Sequence, residues 1–119
     1  MAIEIKVVTD ADVEDYSDAI DFGFYHPENR GVRGAGRRKW FAEDLAAGRL
    51  IAAYDGPRVV GTFGNHRDRV TVPGGAAVPC GAVTAVTVTQ THRRRGILSS
   101  MMATGLKQSA DAGEPLSIL

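Results

Sequence analysis

Hydrophobic positions along the chain change period several times, and each change marks an element. Ile3, Ile5 and Val7 alternate with Glu4 and Lys6, which predicts a half-buried first strand. Thr9 or Asp10 then caps a helix with acids in its first turn. Val13, Tyr16, Ile20 and Phe24 recur every three or four residues down one face of it, to about Phe24. The stretch His26 to Gly36 holds a proline and several glycines and reads as a loop. A shorter helix follows from about Arg38 to Ala47, ended by Gly48.

Leu50 to Tyr54 predicts a second strand, and Asp55-Gly56 a tight hairpin into a third, Arg58 to Arg69. Val72-Pro73-Gly74-Gly75 turns the chain again into Val78 to Thr89, rich in valine and threonine, with an interruption expected at Pro79-Cys80-Gly81. Within it Val83 to Val88 are small or β-branched throughout, as in a central strand covered on both faces. Gly96 to Ala112 has helical composition, with Leu98, Met101, Met102 and Leu106 on one side and Gly113 past its end. Leu116 to Leu119 begins a further strand. The expected fold is therefore α+β in α/β/α layers, with a mixed, mostly antiparallel sheet cut off at the start of its fifth strand. A central-type strand is an unusual place to finish, so residues 1–119 are expected to form a partial domain, completed by sequence beyond Leu119 or by a partner.

Length and composition narrow the class without changing that picture. A chain of 119 residues supports one domain. No apolar run approaches the roughly 20 residues of a membrane span, so no membrane role is expected. The N-terminus does not read as a signal peptide, and a lone Cys80 has no internal disulfide partner, which together suggest the cytoplasm. The net charge of zero hides an asymmetry. Residues 1–28 hold eight acids against Lys6, so the remainder carries thirteen of the fourteen Lys and Arg with only six acids. A basic C-terminal portion suits an anionic ligand, whether nucleotide cofactor or nucleic acid.

The candidate chemistry sits in Val83 to Ser99, where a buried strand joins a helix through a basic turn with glycine at the bend. A helix start leaves backbone N–H groups unpaired, and with a closely approaching chain it can hold a pyrophosphate. Gly96 permits that approach, and Arg93, Arg94 and Arg95 add charge-assisted hydrogen bonds. Ser99 adds a hydroxyl. The bland reading of the three arginines is a solvated basic patch or nucleic-acid contact; their place between a strand and a glycine-bent helix favours cofactor binding. Gly31, Gly34 and Gly36 have no strand before them and read as a connector. Cys80 reads as a small buried residue rather than a nucleophile. His66, between polar neighbours, reads as structural, the acids Asp10 to Asp21 as a solvated helix face, and no metal site is expected.

Arg93-Arg94-Arg95-Gly96-Ile97-Leu98 resembles the signature of the GNAT acyltransferases, with Leu98 where that signature has a small residue. Val83-Thr84-Ala85-Val86-Thr87-Val88, Thr91-His92-Arg93-Arg94-Arg95-Gly96 and the turn Thr71-Val72-Pro73-Gly74-Gly75 are similar to the enhanced intracellular survival (Eis) type of N-acetyltransferases. The resemblance implies that acetyl-CoA is the co-substrate. By it, the backbone of Val86, Thr87 and Val88 would take the pantetheine arm, and Arg93 to Ser99, with Ile97 and Leu98, the pyrophosphate. It implies direct acetyl transfer to a primary amine, aminoglycoside-like or a protein lysine, with acceptor contacts on the first two helices that make Phe24, His26 and Trp40 pocket candidates. It also implies a tyrosine acid beyond the next strand and further domains. Tyr16, Tyr25 and Tyr54 all precede the cofactor strand, so no catalytic residue is assigned and the chain is expected to be incomplete for catalysis. The alternative is a non-catalytic module binding CoA, another phosphate ligand or nucleic acid. A homo-oligomer is compatible with either.

Overall fold

The computed structural model describes residues 2–26 and 34–119. Strand β1 (Ile3–Val7) leads through a short 3-10 turn, Asp10–Asp12, into helix α1 (Val13–Gly23). Helix α2 (Gly34–Ala46) and the strands β2 (Leu50–Asp55), β3 (Arg58–Thr71) and β4 (Ala77–Val88) follow. A second 3-10 turn, Gln90–His92, then precedes helix α3 (Ile97–Asp111) and strand β5 (Leu116–Ile118). The sheet runs in sequence order β1-β2-β3-β4-β5. Its first three pairings are antiparallel and β4 with β5 is parallel. The mixed, mostly antiparallel α+β fold expected from the sequence is therefore present.

Alternation in β2 divides the interior into two cores. Leu50, Ala52 and Tyr54 face α1 and α2 with Val8, Val13, Tyr16, Ile20 and Phe41, whereas Ile51 and Ala53 face α3 with Val60, Phe63, Val83, Ile97 and Met101. Successive side chains of a strand point to opposite faces, so a run of five buried residues can cover both sides only as a central strand. Fully burying a side chain such as Phe63, which is 0% exposed, contributes on the order of 2–3 kcal/mol.

Several boundaries differ from the sequence reading, each for a tertiary reason. Helix α2 begins at Gly34, not Arg38, so Gly34 and Gly36 are helical; Gly31 and most of the expected loop lie outside the described residues. Arg37 and Arg38 anchor this first part of α2 onto α1: Arg37 donates to the buried Asp21 at 2.6 Å, and Arg38 bonds Asp10 and Glu14. These acids are thus partners for α2, not only a solvated face. The Arg38 hydrogen bond also holds the Glu14 carboxyl below its usual range.

Strand β4 is unbroken at Pro79-Cys80-Gly81, where Cys80 is 0% exposed. Its irregularity falls instead opposite Thr62–Gly64, where Ala85 takes φ +52. On α3 the inward row is Ile97, Met101, Gly105 and Ser109, spaced by four. Leu98 and Leu106 are about half exposed, because a narrow strip is enough to cover one sheet face. Phe24 follows the last turn of α1 and is likewise half exposed.

A buried polar cluster fixes α3 and β5 to the sheet. Asn65 donates to the Gly105 carbonyl and the Ser109 hydroxyl, while Arg49 donates to the Asn65 carbonyl and to Glu114. Burial alone would raise the Glu114 carboxyl, but hydrogen bonds from Arg49 and Ser109, with the Arg49 and Arg67 charges, hold it below its usual range. No helix among the described residues is long and apolar enough to cross a membrane.

Candidate functional site

The C-terminal half of β4 is built to leave one edge open. Pairing with β5 stops after Cys80, Gly81 and Ala82, so from Val83 to Val88 the only strand neighbour among the described residues is β3. Thr62 stabilises the bulge that turns this segment. Its hydroxyl donates to the Ala85 carbonyl at 2.7 Å and accepts from the Thr87 hydroxyl at 2.7 Å. A bulge re-aims backbone groups that a regular ladder would consume. Helix α1 closes the same segment from one face, and a Cβ on Gly23 would lie 2.5 Å from Thr87 Cβ, so only glycine lets the helix end this close to the strand.

Beyond Val88 the chain is pinned before it turns. The Thr89 amide donates to the Val60 carbonyl, and Gln90 donates to the Tyr25 hydroxyl at 2.9 Å. The buried His92 places Nε2 2.8 Å from Asp55 Oδ2 and Nδ1 2.8 Å from Thr91 Oγ1. In the neutral ring Nε2–H donates to Asp55 and Nδ1 accepts from the threonine hydroxyl. These contacts tie the turn to the β2–β3 hairpin. Two residues of the turn are left-handed, Arg94 at φ +67 and Gly96 at φ +75, and Gly96 caps α3 in that conformation without any side-chain cap. The opening N–H groups of α3 therefore meet no capping side chain.

A cleft of about 430 Å³ gathers these features. Its lining includes Val86, Thr87, Val88, Arg93, Arg94, Gly96, Ile97, Leu98 and Ser99, together with Gly23 and His92. Of the residues expected to hold a cofactor, only Arg95 is not on its wall; it is exposed beside it. The guanidinium groups of Arg93, Arg94 and Arg95 make no ion pair among the described residues. Aligned backbone donors and unneutralised arginines meet in one concave space, a donor set that fits a diphosphate.

The three acceptor candidates are not brought together. Trp40 is 67% exposed and lines a separate cleft with Phe41, Asp44, Leu50, Gly64, His66, Ala82 and Thr84. Phe24 and His26 are exposed at the end of α1, where Phe22 and Tyr25, not Phe24, line the neighbouring cleft. Burial pushes the Tyr16 phenol up strongly and that of Tyr54 up to about 12, so both hold their protons in the α1/α2 core. Sequence reasoning missed Gly23, Thr62 and Asp55 at the site. Each acts across more than 20 residues of chain, and no local pattern announces such a contact.

Comparison with known proteins gives the family and the fold. The family described as "Acetyltransferase (GNAT) domain" matches residues 4–119. An uncharacterized N-acetyltransferase of Streptomyces avermitilis is 34% identical over 117 residues, covering 98% of this chain and 27% of that protein. The N-acetyltransferase Eis of Mycobacterium tuberculosis is 41% identical over 64 residues, 54% of this chain and 16% of Eis. Among solved structures, a GCN5-related N-acetyltransferase from Kribbella flavida superposes with a TM-score of 0.81 at 24% identity, over 98% of this chain and 29% of that one. The aminoglycoside N-acetyltransferase AAC(6')-Iy, solved with CoA, has a TM-score of 0.74 at 15% identity, over 98% and 75%. The chain thus spans about a quarter of the length of its Streptomyces relative.

Proposed function

The chain belongs to the GNAT acetyltransferase family, and on that premise we propose that it holds acetyl-CoA in the β4–α3 cleft for transfer of the acetyl group to a primary amine. The observation that carries the reading is the coincidence in one cleft of an uncapped helix start with, among the described residues, an open strand edge and arginines that make no ion pair. In this proposal the backbone of Val86, Thr87 and Val88 takes the amide-rich arm as an added strand would. Ile97, Leu98 and Ser99 donate N–H groups to the diphosphate, and Arg93, Arg94 and Arg95 neutralise it. Gly96 keeps the backbone accessible.

A thioester bound there supplies the activated acyl group, and backbone N–H groups fixed by the bulge are suited to polarise its carbonyl. We assign no residue of this chain to protonation of the leaving thiolate. The THRRRG turn supports an Eis-type specificity, with an aminoglycoside-like or lysine amine as acceptor, and the buried thiol of Cys80 suits a reducing cytoplasm.

Isothermal titration with CoA tests the reading. It predicts saturable binding that is lost in Arg94→Ala and competed by inorganic pyrophosphate. Binding that CoA cannot compete from single-stranded DNA, with a steep salt dependence, would favour a nucleic-acid module instead.

A further inference from the structure

Helix α1 carries a second organised face. Asp15, Asp18, Ala19 and Phe22 recur at i, i+3, i+4 and i+7, away from the Val13, Tyr16 and Ile20 row that packs into the core. With Pro57 and Arg58 from the β2–β3 hairpin, Val59 from β3 and Thr89 just past β4, these residues wall a cleft of about 430 Å³, within the range of small-molecule sites. It shares no wall residue with the β4–α3 cleft or with the cleft beneath Trp40.

Three polar side chains on this wall have no hydrogen-bond or ion-pair partner among the described residues: Arg58, Asp15 and Thr89. Asp18 has an interaction of its own. Arg58 and Asp15 are opposite in sign and stand on different walls, yet they do not pair with each other. Thr89 is 9% exposed. Its amide is fixed by the Val60 carbonyl, and its hydroxyl does not cap the 3-10 turn that follows. Nearly covered polar groups are ordinarily hydrogen-bonded, and the space beside this one is the cleft.

Such a wall discriminates by charge. A simple anion meets Arg58 but is repelled by Asp15 and Asp18, a simple cation meets the reverse, and a neutral molecule leaves both charges without a partner. A molecule with an ammonium and a carboxylate on one carbon answers both. Its side chain then lies against Ala19, Phe22, Pro57 and Val59, where the flat faces of Phe22 and Pro57 match an aromatic ring better than a branched aliphatic group.

We propose that this cleft binds a free α-amino acid with an aromatic side chain, at a site separate from those of the acyl donor and the acceptor. The inference goes beyond the acetyl-transfer reading and does not depend on it. Asp15 accepts from the ammonium, Arg58 and the Thr89 hydroxyl donate to the carboxylate, and the ring packs on Phe22.

Amide shift mapping of the isotopically labelled chain with L-phenylalanine, in the absence of CoA, tests the proposal. Saturable shifts are expected at Ala19, Phe22, Val59 and Thr89. Hydrocinnamate, which lacks the ammonium, and phenethylamine, which lacks the carboxylate, should each bind about tenfold more weakly or worse. Arg58→Gln and Asp15→Asn replace exposed side chains, so each should keep the amide spectrum elsewhere while losing about tenfold in affinity for phenylalanine; Thr89→Val should lose about fivefold. No saturable shift, shifts confined to other surfaces, or phenethylamine binding as tightly as phenylalanine would overturn the proposal. CoA titrated into Arg58→Gln reads the other cleft: phenylalanine binding lost with CoA affinity unchanged supports a separate site, whereas equal losses of both overturn it.

Discussion

Replacing Gly96 separates backbone conformation from backbone access. The residue sits at φ +75 and ψ 13, left-handed, and a Cβ built there meets no protein atom within 4 Å. Gly96→Val therefore creates no clash, and its cost to the fold is the left-handed strain of a β-branched residue, about 2 kcal/mol. That is below the usual stability of a domain of this size, so the variant should remain folded in urea titrations with a lowered midpoint. Asparagine tolerates the left-handed region, and Gly96→Asn should lose only a few tenths of a kcal/mol.

Both variants put a side chain on the wall of the β4–α3 cleft. If a diphosphate sits on the α3 amides, each charge-assisted hydrogen bond forfeited costs about 1.5–3 kcal/mol. The loss of one or two lowers CoA affinity by about a hundredfold in calorimetry. Gly96→Asn decides the matter: full stability with full CoA affinity would refute the claim that close backbone approach is what the glycine supplies.

Three further outcomes follow from the packing. Glu114→Gln leaves the Arg49 charge buried and unpaired, so it should cost about 3 kcal/mol in urea unfolding. Because the folded carboxyl titrates below its ordinary 4.5, the pair's stabilisation is complete above that pH and is lost as pH falls through the folded value; the acid limb of the stability profile should flatten in the variant. Asp55→Asn weakens the anchor of His92 and should reduce CoA affinity about fivefold while speeding amide exchange at Gln90–His92. Gly105→Ala places a methyl 2.5 Å from Phe63 Cε1 in a ring with no room to move, which should lower stability by about 1–3 kcal/mol in thermal melts.

What was legible in the sequence was local. The two-residue alternation of Ile3 to Val7, the Asp55-Gly56 turn and the β-branched run of Val83 to Val88 each carry their structure in neighbouring residues, and the antiparallel order β2-β3-β4 followed from short connections. The strand–arginine–glycine–helix pattern likewise placed nearly all of one cleft wall. Long-range contacts were not legible. Helix α2 starts early because Arg37 and Arg38 find acids 16 to 28 residues away, and a glycine-rich stretch gives no local hint of that. The bulge sits at Ala85 rather than Pro79 because Thr62, on the adjacent strand, bonds its carbonyl. Proline is tolerated at Pro79 near the end of the β3–β4 ladder. The His66–Asp44 hydrogen bond likewise joins β3 to α2 across 22 residues.

The central claim is that the start of α3 and the open edge of β4 hold the diphosphate and arm of CoA. Amide chemical-shift mapping during a CoA titration of the isotopically labelled chain addresses it directly. The account predicts the largest shifts at Val86–Val88 and Gly96–Ser99, saturating together with one affinity. Saturable shifts confined to other surfaces, or none at the α3 amides while CoA binds, would contradict it.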